Sequence, residues 1–284
     1  MWNFYDELYM GIPSGIRVEG CVVGKLWTTV RANGNIGIAR TMGAAGDADL
    51  NALAQSVVGM HLRDVANVLK WNSLLRASVG VAAMNAFYNR AERVKELSAP
   101  PAFRNELCGK HVVVIGDLPN LEAGLKDGCD LTVLPLPEEK NLGAGYAEAM
   151  KADFVFVSGD ALINRTLPAL LAEVGEHTKV SLSGVSVPAA PVLFAFGNPI
   201  HNLSGVCAAI ATTVECAAKE NQPDLAPGTQ MFSINPVQPQ YLHEQTAAAR
   251  FAASPYKSAA FNSAFNPWEG KEYDQSIWSP IFKG

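Results

Sequence analysis

Four short segments between residues 116 and 186 follow or end apolar runs, and these are the places where chemistry could sit. Gly116-Asp117-Leu118-Pro119-Asn120 follows the run Lys110–Ile115, and Leu134-Pro135-Leu136-Pro137-Glu138 ends the next one. Ser158-Gly159-Asp160 follows Phe154–Val157, and Ser183-Gly184-Val185-Ser186 follows Val180–Leu182. In an open parallel sheet, ligands lie outside the carboxyl ends of the strands, so small polar loops in register there point to a polar small-molecule site. Asp117 and Glu138 are carboxylates suited to orienting such a ligand, and Glu138 sits about twenty residues after the first loop, where an acid can bond a ribose diol. Ser158, Gly159, Asn164, Ser183 and Gly184 supply hydroxyls, an amide and backbone N–H groups. The structural alternatives are a solvated Glu138 and helix capping by Asp160 or Asn164.

Two further candidates lie upstream. Asn85 sits among alanines in an apolar helical segment, where a buried amide needs partners that a ligand, a facing loop or nearby backbone can supply. Arg40 lies between a strand and the loop Gly43–Asp47, placed to meet an anionic group. The first loop has one glycine of the three in GxGxxG, which disfavours a tight dinucleotide pyrophosphate site. His61, His111, His177, His201 and His243 form no HxH or HxxxH pair, and the five cysteines form no CxxC, so spacing indicates no metal site and no disulfide framework. The cysteines read as small buried hydrophobes. His201, after Gly197-Asn198-Pro199 in an expected loop, is the histidine nearest to a functional context. No nucleophile, base or cofactor motif stands out, so catalytic residues and cofactor stay unassigned.

The elements that must position these residues differ along the chain. Residues 1–100 read as a small α+β domain. Its parts are a strand over Gly20–Val30, a turn at Arg31–Asn35, a returning strand Ile36–Arg40, and helices with apolar residues every three or four positions from Leu62 to Ala83. Asn72-Ser73 is an expected helix N-cap. A linker at Ser98–Ala102 leads to residues 107–222, where continuous apolar strands alternate with helix-length segments. That alternation predicts a Rossmann-like, doubly wound parallel sheet. The fold class is therefore α/β. Residues 223–284 form an aromatic- and Pro-rich extension; the last sixty residues hold ten aromatics, expected to pack on the body or on a neighbouring subunit of a homo-oligomer.

Composition sets the outer limits. The 284 residues are 49% hydrophobic and 17% charged with a net charge of -5, which suits a well-buried globular protein and argues against a nucleic-acid partner. No apolar run reaches the roughly 18–20 residues of a membrane span, and the first residues lack a secretory pattern, so a cytoplasmic protein without a membrane partner is expected.

As a set, Trp71-Asn72, Ala82-Ala83-Met84-Asn85-Ala86, Val114-Ile115-Gly116, the run Ser158–Thr166 and the run Leu182–Pro188 resemble the prokaryotic "putative heavy-metal chelation" family over roughly residues 5–218. The resemblance implies an enolase N-terminal-like domain joined to the Rossmann-like one, with a ligand cleft between them. It also implies a role in making or handling metal-chelating, pterin-like or flavin-like compounds. Two functions follow as expectations: an enzyme of condensation or hydrolysis type, or a non-catalytic binder or carrier of a metal chelate.

Overall fold

Two sheets of opposite character organise the chain. The computed structural model describes residues 2–70, 73–97, 106–125, 128–138, 142–195 and 199–236. In chain order the elements are α1 (Trp2–Met10), β1 (Val18–Val23), β2 (Trp27–Ala32), β3 (Asn35–Arg40), α2 (Asp47–Val57), α3 (Leu62–Asn67), α4 (Leu74–Tyr88) and α5 (Ala91–Leu97). They continue with β4 (His111–Ile115), α6 (Pro119–Leu125), β5 (Asp130–Leu134), α7 (Ala144–Ala149), β6 (Phe154–Ser158), α8 (Asp160–Ile163) and α9 (Leu167–Ala172). The last are β7 (Lys179–Ser183), β8 (Ile200–Ala208), α10 (Ala211–Lys219) and β9 (Thr229–Ile234).

β1, β2 and β3 form an antiparallel sheet. The expected single strand Gly20–Val30 is two strands, because the chain reverses at Gly24-Lys25-Leu26, where Gly24 N–H bonds Trp27 O at 2.9 Å. Ser73 caps α4, its hydroxyl accepting from Arg76 N–H; Asn72 lies outside the described residues. The linker 98–102 also lies outside them.

The second sheet has the order β5-β4-β6-β7-β8-β9, with the first five strands parallel and β9 antiparallel at the edge. β6 (Phe-Val-Phe-Val-Ser) is buried at every position, as a central parallel strand covered on both faces must be. The fold class is α/β, with the parallel sheet the sequence pattern predicts. The sheet also runs further than the sequence reading placed it. Ile200–Ala208, expected in part as loop, is β8, and Thr229–Ile234, read as the start of the extension, is β9. Phe232 is buried there and packs where a side chain on Gly205 would otherwise stand. The other nine aromatics of the tail lie outside the described residues. The described residues, which end at Pro236, make one compact unit. Among the described residues no helix is long and apolar enough to cross a membrane.

α4 lies at the centre of this unit. Every residue from Ala77 to Tyr88 is buried, so the helix is covered on all sides rather than on one apolar stripe. The three-stranded sheet reaches it through Gly37: a Cβ there would stand 2.0 Å from both Ala82 O and Ala86 N. β3 and the helix backbone therefore touch directly. From the other side, Ile36 and Ile38 of β3 share a core with Val214 and Ala217 of α10 and with Leu225.

Gly37→Ala is expected to destabilise the protein by at least about 1–3 kcal/mol, since neither helix backbone atom can yield. Gly20→Ala, whose Cβ would meet only Arg31 Cβ at 3.8 Å, should stay within about 0.5 kcal/mol of wild type. Urea denaturation of the two variants measures the contrast.

Candidate functional site

The strand order places a topological switch point between β4 and β6, whose connections leave to opposite sides, and ligands of open α/β sheets bind at such points. The three loops at the carboxyl ends of β4, β6 and β7 are built from small residues because they touch backbone to backbone. Gly116, at φ +97°, leaves room where a Cβ would stand 2.6 Å from Ser158 Cβ. A Cβ on Gly159 would stand 2.8 Å from Ser186 C and Val187 N. The loop after β6 is thus pressed between its two neighbours.

Arg40, the last residue of β3, crosses from the antiparallel sheet to these loops. Its Nη1 bonds Asp117 Oδ2 at 2.5 Å, and its Nε lies 3.9 Å from Asp160 Oδ2. Ser186 links the same two residues: its hydroxyl accepts from Arg40 N–H at 3.0 Å and donates to Asp160 Oδ1 at 2.6 Å. Asp160 N–H in turn donates to Ser158 Oγ at 3.3 Å. Asp117 and Arg40 are open to solvent, with side chains 57% and 40% exposed, whereas Asp160 is buried. Burial pushes the Asp160 carboxyl above the usual aspartate range; Ser186 and Arg40 pull it back, and Asp117 adds to the rise. The site therefore pairs an accessible guanidinium with a desolvated carboxyl that resists ionisation, a pairing that can hold an anion and retain a proton beside it.

Asn85 lies directly behind this junction and is fully buried. Its Nδ2 donates to Ile38 O at 2.7 Å and Val185 O at 3.4 Å, the second from the residue before Ser186. Its Oδ1 is buried with no hydrogen-bond partner, so backbone satisfies half of the amide. One helical turn on, Asn89 is fully engaged: it donates to Val187 O (2.9 Å) and Val206 O (3.0 Å) and accepts from Ala189 N–H (2.7 Å). Two asparagines four apart on an apolar helix are the signal that would have found it.

The remaining candidates separate from this cluster. Asn164 donates to Pro137 O at 3.0 Å and accepts from Thr166 N–H and Oγ, which is the local turn-capping role weighed against ligand contact. Ser183 turns into a buried polar ladder, 3.0 Å from Ser181 Oγ, which bonds Asn202 Oδ1 at 2.8 Å. Gly184 N–H bonds Ser204 O at 2.9 Å. Gly159 N–H bonds Ser183 O at 2.7 Å, so that N–H, expected to face a ligand, is spent on the neighbouring strand. Glu138 is exposed beyond β5, where its charge helps burial to raise the Tyr146 hydroxyl. His201 is a strand residue of β8, its Nδ1 lying 3.3 Å from Val180 N and 2.9 Å from Pro199 O. Asp160 and Ser186 were absent from the candidate set, because a carboxylate after Ser-Gly reads as a helix cap until Arg40 is seen beside it.

All five cysteines are free thiols, but only Cys207 is buried, and Cys108 and Cys216 are exposed, against the expectation of buried small hydrophobes. Among the described residues, no group of three or more His, Cys, Asp or Glu is placed to hold a metal ion.

Two family models match the chain, one over residues 5–88 and one over 100–221, and both are described as "putative heavy-metal chelation". The chain belongs to this family. A crystal structure of a protein of unknown function from Desulfitobacterium hafniense, a member of the family of the second model, is similar at 28% identity and a TM-score of 0.70. The match covers 82% of this chain and 97% of that one. Another protein of unknown function from that family, from Pyrococcus horikoshii, shares the fold at 13% identity and a TM-score of 0.62, over 82% of this chain and 98% of its own. No curated protein matches the chain.

The raised Asp160 carboxyl has a definite sign in stability. The folded state keeps this proton to higher pH than the unfolded chain, so the contribution is complete below about pH 4. It is lost as pH rises through the raised value, when the native state must ionise a desolvated group. Asp160→Asn removes that loss, and its thermal midpoint should fall less than that of wild type above about pH 4. Circular dichroism melts across pH check this; parallel curves would show that Asp160 titrates as an ordinary surface carboxylate.

Proposed function

We propose that this family member binds a small organic molecule with an anionic group at the strand ends around Arg40, Asp117 and Asp160, and acts on it by condensation or hydrolysis. The observation that carries the reading is Arg40 reaching from one sheet to two carboxylates at the switch point of the other. An exposed guanidinium held at one edge by Asp117 can exchange that partner for a ligand carboxylate or phosphate, keeping its geometry through Ser186. Asp160, desolvated and held by a hydroxyl, is then the group that keeps or passes a proton as a bond forms or breaks. A plain carrier needs neutral donors and no such carboxyl, and this difference favours the enzyme over the carrier of a metal chelate. A ligand extending across β5 would meet Glu138, while the unpartnered Oδ1 of Asn85 lies buried behind the loops. The family's link to metal chelation then lies in the organic compound, which brings the donor atoms that no cluster of described side chains supplies.

Native mass spectrometry of the freshly purified chain, with elemental analysis of the same sample, tests the reading. An organic ligand at one per chain is expected in wild type. Arg40→Gln, which removes a charge-assisted bond worth about 1.5–3 kcal/mol, should weaken its retention roughly tenfold to a hundredfold. Stoichiometric metal without an organic molecule, held equally by wild type and Arg40→Gln, would overturn it.

A further inference from the structure

A pair of thiols lies at the opposite edge of the parallel sheet, before β4 and β5, away from the Arg40 site. Cys108 is exposed in the turn closed by Lys110 N–H to Leu107 O (3.1 Å), and Cys129 immediately precedes β5. Between them, Gly109 N–H bonds Gly128 O at 3.0 Å. Each cysteine is therefore one residue from the same hydrogen bond, which keeps the two Cα atoms within about 8 Å by standard backbone dimensions. That bound reaches into the range of about 4.4–6.8 Å that a disulfide spans. The flanking residues are glycines with open surroundings: a Cβ on Gly109 would meet nothing within 4 Å, and one on Gly128 only Leu125 O at 4.0 Å. A small closure of the turn meets no packed neighbour.

The two thiols are also unlike. Cys129 is half-buried against the cluster around Leu107 and Leu125, and its Sγ donates to Leu125 O at 3.4 Å. Burial raises its thiol, and the charges of Asp130 and Cys108 raise it further, so Cys129 is the poorer first nucleophile. Cys108 is the accessible one.

We propose that Cys108 and Cys129 form a reversible dithiol–disulfide couple that a low-molecular-weight disulfide oxidises. The Cys108 thiolate attacks one sulfur of the small disulfide; its S–S bond breaks, one small thiolate leaves, and a mixed disulfide forms on Cys108. Cys129 then gives up its proton and attacks the Cys108 sulfur, releasing the second small thiol. In balance, two protein thiols are oxidised to one disulfide and one small disulfide is reduced to two thiols. The new bond closes a loop that contains β4, Asp117 and α6, and so stabilises the strand that carries one wall of the Arg40 site.

Full-length protein treated with glutathione disulfide is the test. Wild type should lose two of its five thiols, become about 2 Da lighter, yield a peptide linking Cys108 to Cys129, and melt at a higher temperature than the reduced form. Cys129→Ser should stop at a glutathione adduct on Cys108, with no rise in the melt. Cys108→Ser should leave Cys129 unmodified. A linkage involving Cys21, Cys207 or Cys216, a disulfide between two chains, or capping of both thiols without a bond between them would each overturn the proposal.

Discussion

The contact on which the rest of the molecule depends is the direct meeting of β3 and α4 at Gly37. A strand normally packs on a helix through side chains on both. Here one partner contributes no side chain, so the helix backbone comes up directly against the strand. That approach explains why α4 is rich in alanine and why all of it from Ala77 to Tyr88 is buried. A helix set this deep must satisfy any polar side chain internally. Asn89 does so completely by bonding the segment after β7 and the backbone of β8, and so fastens the antiparallel sheet to the parallel one.

The position of Arg40 follows from that fastening. β3 ends at Arg40 beside the loop that Asn85 and Asn89 grip, and Ser186 of that loop takes the Arg40 backbone N–H. The guanidinium thus arrives at the strand ends with its backbone already fixed, and only the side chain chooses between carboxylates. At 2.5 Å and half-exposed, the pair with Asp117 is one that solvent weakens, worth about 0–1 kcal/mol. Asp160 is the opposite case: it is buried, its favourable contacts are Ser186, Ser158 and a guanidinium 3.9 Å away, and desolvation still outweighs them. The asymmetry between the two aspartates is what distinguishes the site from a surface ion pair.

This asymmetry also marks how far the sequence could be read. β4 and β6 were legible because strands buried on both faces leave unbroken apolar runs, β5 and β7 as shorter apolar stretches spaced by helix-length segments, and the loops after β4, β6 and β7 as Gly and Ser at strand ends. β8 and β9 were not: their burial alternates or changes along the strand, and β9 ends its exposed half in Gln230 and Met231. Within the site, Arg40, Asp117 and Asn85 were found by residue type in a suggestive place. Asp160 and Ser186 were missed because their role depends on Arg40, more than a hundred residues away in the chain. Asn164 and Ser183 show the converse case, since their side chains already bond a nearby turn and a neighbouring serine, contacts that residue type alone does not reveal.

The junction between the sheets bears on how a ligand could enter. A cleft between two domains suggests hinge closure, but these two sheets are fastened at both ends of their contact. At the end away from Arg40, Arg31 makes a two-pronged bond to Glu215 (3.0 and 2.6 Å); on the strand beside Arg40, Trp27 Nε1 donates to Gln222 O at 2.8 Å, and a Cβ on Gly24 would stand 2.1 Å from Ala218 O. The Ser186–Arg40 link stands at the near end too, and Asn89 bonds the parallel sheet from α4 between the two ends. Hinge motion would have to break backbone contacts as close as these together with the shared core of Ile36, Ile38, Val214 and Ala217. Side chains at the rim are far cheaper to move, and the Arg40–Asp117 pair is an exposed one. Rotation of Arg40 away from Asp117, with the two sheets held still, is therefore the motion by which the proposed ligand would reach the strand ends.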